Sequence, residues 1–200
     1  MELHGKLDHL FDFFDKVDSR FDLFFENPEG AFVFSNLHDL NSVFEQLTNE
    51  NLISPKHSLL ETGSGDGRVL ALASYYGLQA YGIELSKQVC KESKESLNEL
   101  YCCGTIPSEP MVTCGDFRRE QTYIQLGKRF SSFDLIFNYN TLTKEITRLL
   151  TDQGRVGCLF LHLSLQPNPL VVDGLVFVKE IPVTTANHYF RVYEVRGFND

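Results

Sequence analysis

The sequence predicts an α/β fold. The expected architecture is a three-layer sandwich whose mostly parallel sheet ends in a C-terminal antiparallel hairpin and follows an N-terminal helical extension. Three observations carry this. Short apolar runs alternate with helical patterns from Leu59 to Leu163, the signature of strands joined by crossover helices. Two β-rich runs then close the chain with no helix between them. The first residues place apolar side chains at alternating steps of four and three, one stripe along a helix. No linker, repeat or low-complexity block divides the 200 residues, which suit one buried core. The expected division is an amphipathic helical segment over 1–29 and a single ligand-binding domain over 30–200.

In chain order, the first stripe runs Leu3, Leu7, Leu10, Phe14, Val17, Phe21 and Phe24, widened by Phe11, Phe13 and Phe25. A helix to about residue 25 follows, packed on its own domain or docking a partner protein; phenylalanine this dense is costly to leave exposed. "ENPEG" ends it with turn chemistry. A second helix is expected over 37–52, broken by "SPKHS". The strand "LLET" enters the glycine-rich turn "GSGDG", and a helix resumes at "GRVLALASYYG". The strand "QAYGIEL" precedes a charged helix over 86–104, whose Glu and Lys form a solvated face. "MVTCGDF" and "FDLIFNY" read as the next strands, "TLTKEITRLLTDQ" as a helix, and "RVGCLFLHL" as a fifth strand. "GLVFVKEIPV" and "HYFRVYEVRG" are the antiparallel pair at the sheet edge.

Composition narrows the function classes. Eighteen Lys plus Arg against 27 Asp plus Glu leave a formal net charge of −9, which disfavours general binding of phosphate backbones and favours a basic partner. No apolar run reaches the roughly 20 residues that span a bilayer. The acidic N-terminus is unlike a secretory signal. Five cysteines, odd in number and without a CxxC pair or neighbouring histidines, suit reduced thiols in the cytoplasm rather than a disulfide framework or a metal site.

The chemistry concentrates at three strand ends. "LLETGSGDG" carries Glu61, Gly63, Gly65 and Gly67, "YGIEL" ends in Glu84, and "CGDF" supplies Asp116 and Phe117. Residues without side chains let backbone N–H groups approach a ligand closely. An acid ending the second strand can accept both hydroxyls of a ribose. An acid and an aromatic after the third suit an adenine edge and face. The dinucleotide fingerprint G-x-G-x-x-G would place its third glycine where Arg68 stands, and a P-loop would need Gly-Lys-Ser/Thr. Glu61 would repel a pyrophosphate and suits an ammonium group instead.

In this order the set E-x-G-x-G-x-G, strand-end acid, G-D-F resembles the class I, Rossmann-like S-adenosylmethionine-dependent methyltransferases of seven-β-strand type, over roughly residues 35–198. The resemblance implies that Glu61, Gly63, Gly65 and Gly67 hold the methionine part of S-adenosylmethionine, Glu84 the ribose, and Asp116 and Phe117 the adenine. Asn138 and Tyr139, after the fourth strand, then stand where the methyl acceptor is expected. "NYNT" there lacks the prolines of adenine N6-methyltransferases. "GSGDGR" with "GIEL", Tyr139, the short "SLQPNPLVVDG" link and "GAFVFS" are similar to the protein-lysine methyltransferases of archaeal and mitochondrial type, although Phe34 stands where that group has proline. The implied reaction is in-line SN2 transfer to a protein lysine, a desolvated amine being the nucleophile. A small-molecule or RNA acceptor, or a binding scaffold without turnover, is the alternative.

Overall fold

The computed structural model describes residues 3–19, 24–27, 30–33 and 35–196. Its elements are α1 (Leu3–Asp18), β1 (Phe24–Asn27), β2 (Gly30–Val33), α2 (Leu37–Asn49), β3 (Ser58–Thr62), α3 (Arg68–Tyr75), β4 (Gln79–Glu84), α4 (Lys87–Cys102), β5 (Met111–Cys114), α5 (Glu120–Gln125), β6 (Leu135–Tyr139), α6 (Thr143–Gln153), β7 (Leu159–Ser164), β8 (Leu175–Ile181) and β9 (Tyr189–Val195). Seven strands form one sheet in the order β5-β4-β3-β6-β7-β9-β8, and β1 and β2 form a separate antiparallel pair. β5, β4, β3, β6 and β7 run parallel, and β9 enters antiparallel between β7 and the edge strand β8.

Two cores cover the two faces. On one face Leu59, Leu135, Phe137 and Leu161 of the sheet pack with α1, α2, α3 and α4. On the other, Leu60, Ile136 and Phe160 pack with Tyr123 of α5 and with Ile146 and Leu150 of α6. The alternation along each strand is the period-two rule at work. The result is the Rossmann-like three-layer sandwich that the alternating pattern predicts.

The first helix is shorter than its stripe. α1 ends at Asp18, and Phe24 and Phe25 belong to β1, paired with Val33 and Phe32. The four-and-three spacing extends to Phe24, but adjacent aromatics also favour extended backbone, and antiparallel pairing with β2 decides the matter. Phe21, Pro28, Glu29 and Phe34 lie outside the described residues. The stripe that was expected to dock a partner or its own domain is used within the chain: Leu10 and Phe14 are buried in the first core beside α2 and α3. Two boundaries also shift. β5 stops at Cys114, so Asp116 and Phe117 lie just past it, and β7 starts at Leu159. α5 and a single 3-10 turn, Phe130–Ser132, fill the crossover from β5 to β6.

The link from β7 to β8 contains no helix, and a buried arginine organises it instead. Arg191 donates to the carbonyls of Gln166 (2.8 Å), Pro167 (2.7 Å) and Asn168 (3.0 Å), and its Nε donates to Glu180 at 2.7 Å. The guanidinium also lies 4.7 Å from the Tyr189 ring centre. Only a planar five-donor group can serve so many acceptors at once. Arg191→Met is expected to cost about 1–3 kcal/mol, the range for leaving hydrogen-bonding groups without their partner, read as a lowered urea midpoint at unchanged slope.

His162 of β7 is 1% exposed, lies 5.2 Å from Phe160 ring to ring, and has no hydrogen-bond partner at either nitrogen. Burial, with Arg191 adding repulsion, pushes its pKa down to about 4 from 6.5. The unfolded chain therefore binds a proton that the folded chain refuses between these values. This contribution to stability is full above pH 6.5 and is lost as the pH falls towards 4, about 3 kcal/mol across the window. His162→Phe is expected to flatten the unfolding free energy between pH 6.5 and 4, measured by urea titration at steps across that range.

Candidate active site

The parallel strands reverse their order at β3, which has β4 on one side and β6 on the other. A crevice at the carboxyl ends of the strands follows from that reversal. The glycine turn sits there. Gly63 and Ser64 both donate to the Ile83 carbonyl, at 2.9 and 3.0 Å, which ties the turn to the end of β4. Gly63, Gly65 and Gly67 all have positive φ, at 81°, 52° and 85°, the region that favours glycine. A Cβ on Gly63 would meet nothing within 4 Å, so that face of the turn is open to a ligand. Gly82 in β4 is closed by contrast, because a Cβ there would lie 2.6 Å from the Ser64 hydroxyl. Its place inside a strand was the sequence signal for this close approach.

Glu84 is fixed by the turn it faces. Its two carboxylate oxygens accept the backbone N–H groups of Gly65 (2.9 Å) and Ser86 (2.8 Å). Glu61 is 4% exposed and its Oε2 has no hydrogen-bond partner. Burial pushes its carboxyl well above the ordinary range, and the nearby charges of Asp66 and Glu84 push the same way against Arg68. A buried acid with a free oxygen beside an open glycine face is a receptor for a cation or an N–H donor.

Arg68, which the spacing marks only as the residue that breaks a fingerprint, is the counterion of this region. Its Nε donates to both oxygens of Asp66, at 3.1 and 3.0 Å, and its NH1 to the Ser35 carbonyl at 3.1 Å and to Asp18 at 3.2 Å. NH2 donates to Asp66 at 2.7 Å and also to Asp18. Burial works against the guanidinium charge, but Asp66 and Asp18 outweigh it and hold the pKa above its ordinary value.

Past β5, the Asp116 carboxylate is paired with Arg118, which donates from Nε (2.8 Å), NH2 (2.7 Å) and its backbone N–H (2.9 Å). That pairing is the main reason its carboxyl sits below the ordinary range. Phe117 is 6% exposed and packed in the second core with Leu60 and Ile83, and its carbonyl accepts from Tyr123.

At the end of β6 the two expected acceptor-side residues differ in kind. Asn138 is fully buried, with Nδ2 donating to Thr62 Oγ1 (3.0 Å) and the Thr141 carbonyl (2.9 Å) while Oδ1 accepts from Thr141 N–H (3.2 Å). It shapes the following loop, where Asn140 and Leu142 take left-handed φ of 45° and 48°. Tyr139 is half-buried, and its hydroxyl is 2.6 Å from His188 Nε2. Thr62 pairs with Asn138 at the end of the β3–β6 register, and Tyr139 pairs with Leu163 of β7. Tyr139 and Leu163 line a cavity of about 360 Å³, together with Phe11, Phe14, Asp15 and His188. The loop carrying His188 is held by Asp39 of α2, which accepts the backbone N–H and hydroxyl of both Thr184 and Thr185 at 2.5–3.0 Å. His188, Asp39 and Asp18 were invisible to spacing because their partners lie far away in sequence.

No protein-family model matches the chain, and no curated protein matches it by sequence. Solved structures do match the fold. An RNA methyltransferase from Salinibacter ruber, crystallised with S-adenosyl-L-homocysteine, aligns with a TM-score of 0.58 at 15% identity over 80% of this chain and 94% of its own. Magnesium protoporphyrin IX methyltransferase from Synechocystis PCC 6803, with bound S-adenosylmethionine, aligns with a TM-score of 0.60 at 14% identity over 80% and 79%. The chain thus has the fold of the S-adenosylmethionine-dependent methyltransferases.

The charge on Glu61 is a liability in the ligand-free protein. With its folded pKa raised, it weakens the fold as pH climbs past 4.5, the unfolded value. Glu61→Gln is expected to stabilise the ligand-free chain at pH 7 by roughly 1–3 kcal/mol, measured by urea unfolding, with the gain vanishing below pH 4.5.

Proposed function

We propose that this chain is a methyltransferase that uses S-adenosylmethionine and methylates an amine, a protein lysine in the first instance. The observation that carries the reading is the unpartnered Oε2 of buried Glu61 next to the open face of Gly63. Those residues fit the cofactor: Glu61 with the glycine turn would take its ammonium end, Glu84 the ribose hydroxyls, and Asp116 and Phe117 the adenine. When bound, S-adenosylmethionine supplies an electrophilic methyl carbon on a sulfonium.

The protein's own work is binding and alignment. Glu84 arrives already oriented by two backbone N–H groups. Asn138 holds the loop after β6, and Tyr139 lines the cavity that Arg68, the residue after the glycine turn, also lines. The cavity supports an amine acceptor. Its floor is apolar, with Phe14 and Leu163 buried, and this favours the neutral, nucleophilic form of an amine. Asp15 stands exposed at its edge and attracts a cation on approach. The net charge of −9 supports a basic protein acceptor over RNA. The likeness of "GSGDGR", "GIEL" and Tyr139 to lysine methyltransferases supports the same choice.

Calorimetry is expected to detect S-adenosylmethionine binding that Glu84→Ala abolishes. With methyl-labelled cofactor, label is expected in protein pools, at acid-stable lysine adducts. Absence of binding at millimolar cofactor would sink the whole reading, whereas label confined to RNA or metabolites would overturn the lysine acceptor alone.

A further inference from the structure

Tyr139 and His188 meet at the cavity wall although 49 positions separate them. Nδ1 of His188 is 2.9 Å from the Ala186 carbonyl oxygen. A carbonyl can only accept, so Nδ1 carries the ring proton. In the neutral ring Nε2 is then an acceptor, and the Tyr139 hydroxyl 2.6 Å away is the donor. The phenol oxygen keeps its lone pairs for a further hydrogen bond at the wall of the cavity.

We propose that Tyr139 and His188 form a proton relay that deprotonates the acceptor amine before transfer. The inference rests on the amine-methyltransferase reading above. In the step, an acceptor ammonium gives one proton to the Tyr139 oxygen while the phenol proton passes to His188 Nε2. The nitrogen keeps the electron pair of the broken N–H bond and becomes a neutral amine. The phenol ends unchanged, and the imidazole becomes an imidazolium whose Nδ1–H still donates to Ala186. His188 is only partly buried, so the imidazolium can return its proton to water.

Geometry makes the relay more than a contact. Burial raises the Tyr139 phenol pKa, which keeps it protonated and able to pass a proton on rather than lose one to water. Asp39 is the positioning residue: its four hydrogen bonds from Thr184 and Thr185 lock the loop that aims His188. The titratable groups that face the relay across the cavity are Asp15 and Asp18 of α1, His38 and Asp39 of α2, and Arg68 of α3. Arg68 is committed to Asp18 and Asp66, and Asp39 to its threonines, which leaves Tyr139 as the group bonded to His188 Nε2.

Two measurements test this. In the ligand-free protein, ring ¹⁵N spectra of His188 are expected to show the Nδ1–H tautomer, with Nε2 shifting in Tyr139→Phe; an Nε2–H tautomer overturns the relay whether or not methyl transfer is found. In assays with labelled cofactor and the amine pool, Tyr139→Phe and His188→Gln are each expected to lower kcat about 100-fold. Both should keep the cofactor affinity of the unmodified chain, and His188→Gln should lose the acid limb of the kcat pH profile. Asp39→Asn should show the same loss in milder form. Rates within threefold of the unmodified chain with the acid limb intact overturn the proposal. An unmodified chain that binds cofactor but methylates no amine overturns the reading beneath it, and the relay with it.

Discussion

The interaction on which the site depends is the buried guanidinium of Arg68. It stands at the first position of α3, directly after the glycine turn, and joins three separate stretches of chain: Asp66 in the turn, Asp18 at the end of α1, and the Ser35 carbonyl just before α2. The Phe14 ring lies 5.3 Å from it, so an aromatic covers the charge on the side where the first helix packs. An arginine can do this because its planar fork reaches several acceptors at once and stays charged when desolvated. A lysine would serve one or two of them. Through this residue the N-terminal helix, the turn and the approach to α2 become one mechanical unit.

The same cation sets the electrostatic sign of the crevice. Among the described residues, Asp66 and Asp18 pair with Arg68 while Asp66 and Glu84 act on Glu61, so the acids here outnumber the base that faces them. In a dry interior such an imbalance is expensive. The fold bears it in part by raising the affinity of Glu61 for protons. A buried excess of acid that a cation would neutralise biases the site toward binding one. Stability is given up locally for that bias, as is common where function demands a strained or under-paired group.

Much of this was legible in the sequence. Alternation of strands and helices from Leu59 onward, the glycines at 63, 65 and 67, and the acids at 61 and 84 all lie where local pattern placed them, because each depends on neighbours within a few residues. The helix that the stripe extends to Phe24 was misread, since its last apolar positions suit a helix and a strand equally until the β1–β2 pairing is known. Asn138 was expected to face an acceptor, yet its amide is occupied by Thr62 and Thr141. His188 and Asp39 carry no local signature at all. Their importance comes from Tyr139 and from Thr184 and Thr185, partners that only the folded chain brings within reach. Spacing finds turns and stripes; it does not find pairs closed across 49 or 145 positions of chain.

The two backbone N–H groups that hold Glu84 have a thermodynamic consequence. A free glutamate loses up to about 2 kcal/mol of side-chain entropy when it is immobilised. Here that freedom is surrendered when the chain folds, since the Gly65 and Ser86 N–H groups hold the carboxylate. A ligand that reaches for both oxygens finds them waiting and meets no further ordering cost. Its affinity is therefore spared that one cost, and the turn acts as a spring already wound rather than one wound by the ligand.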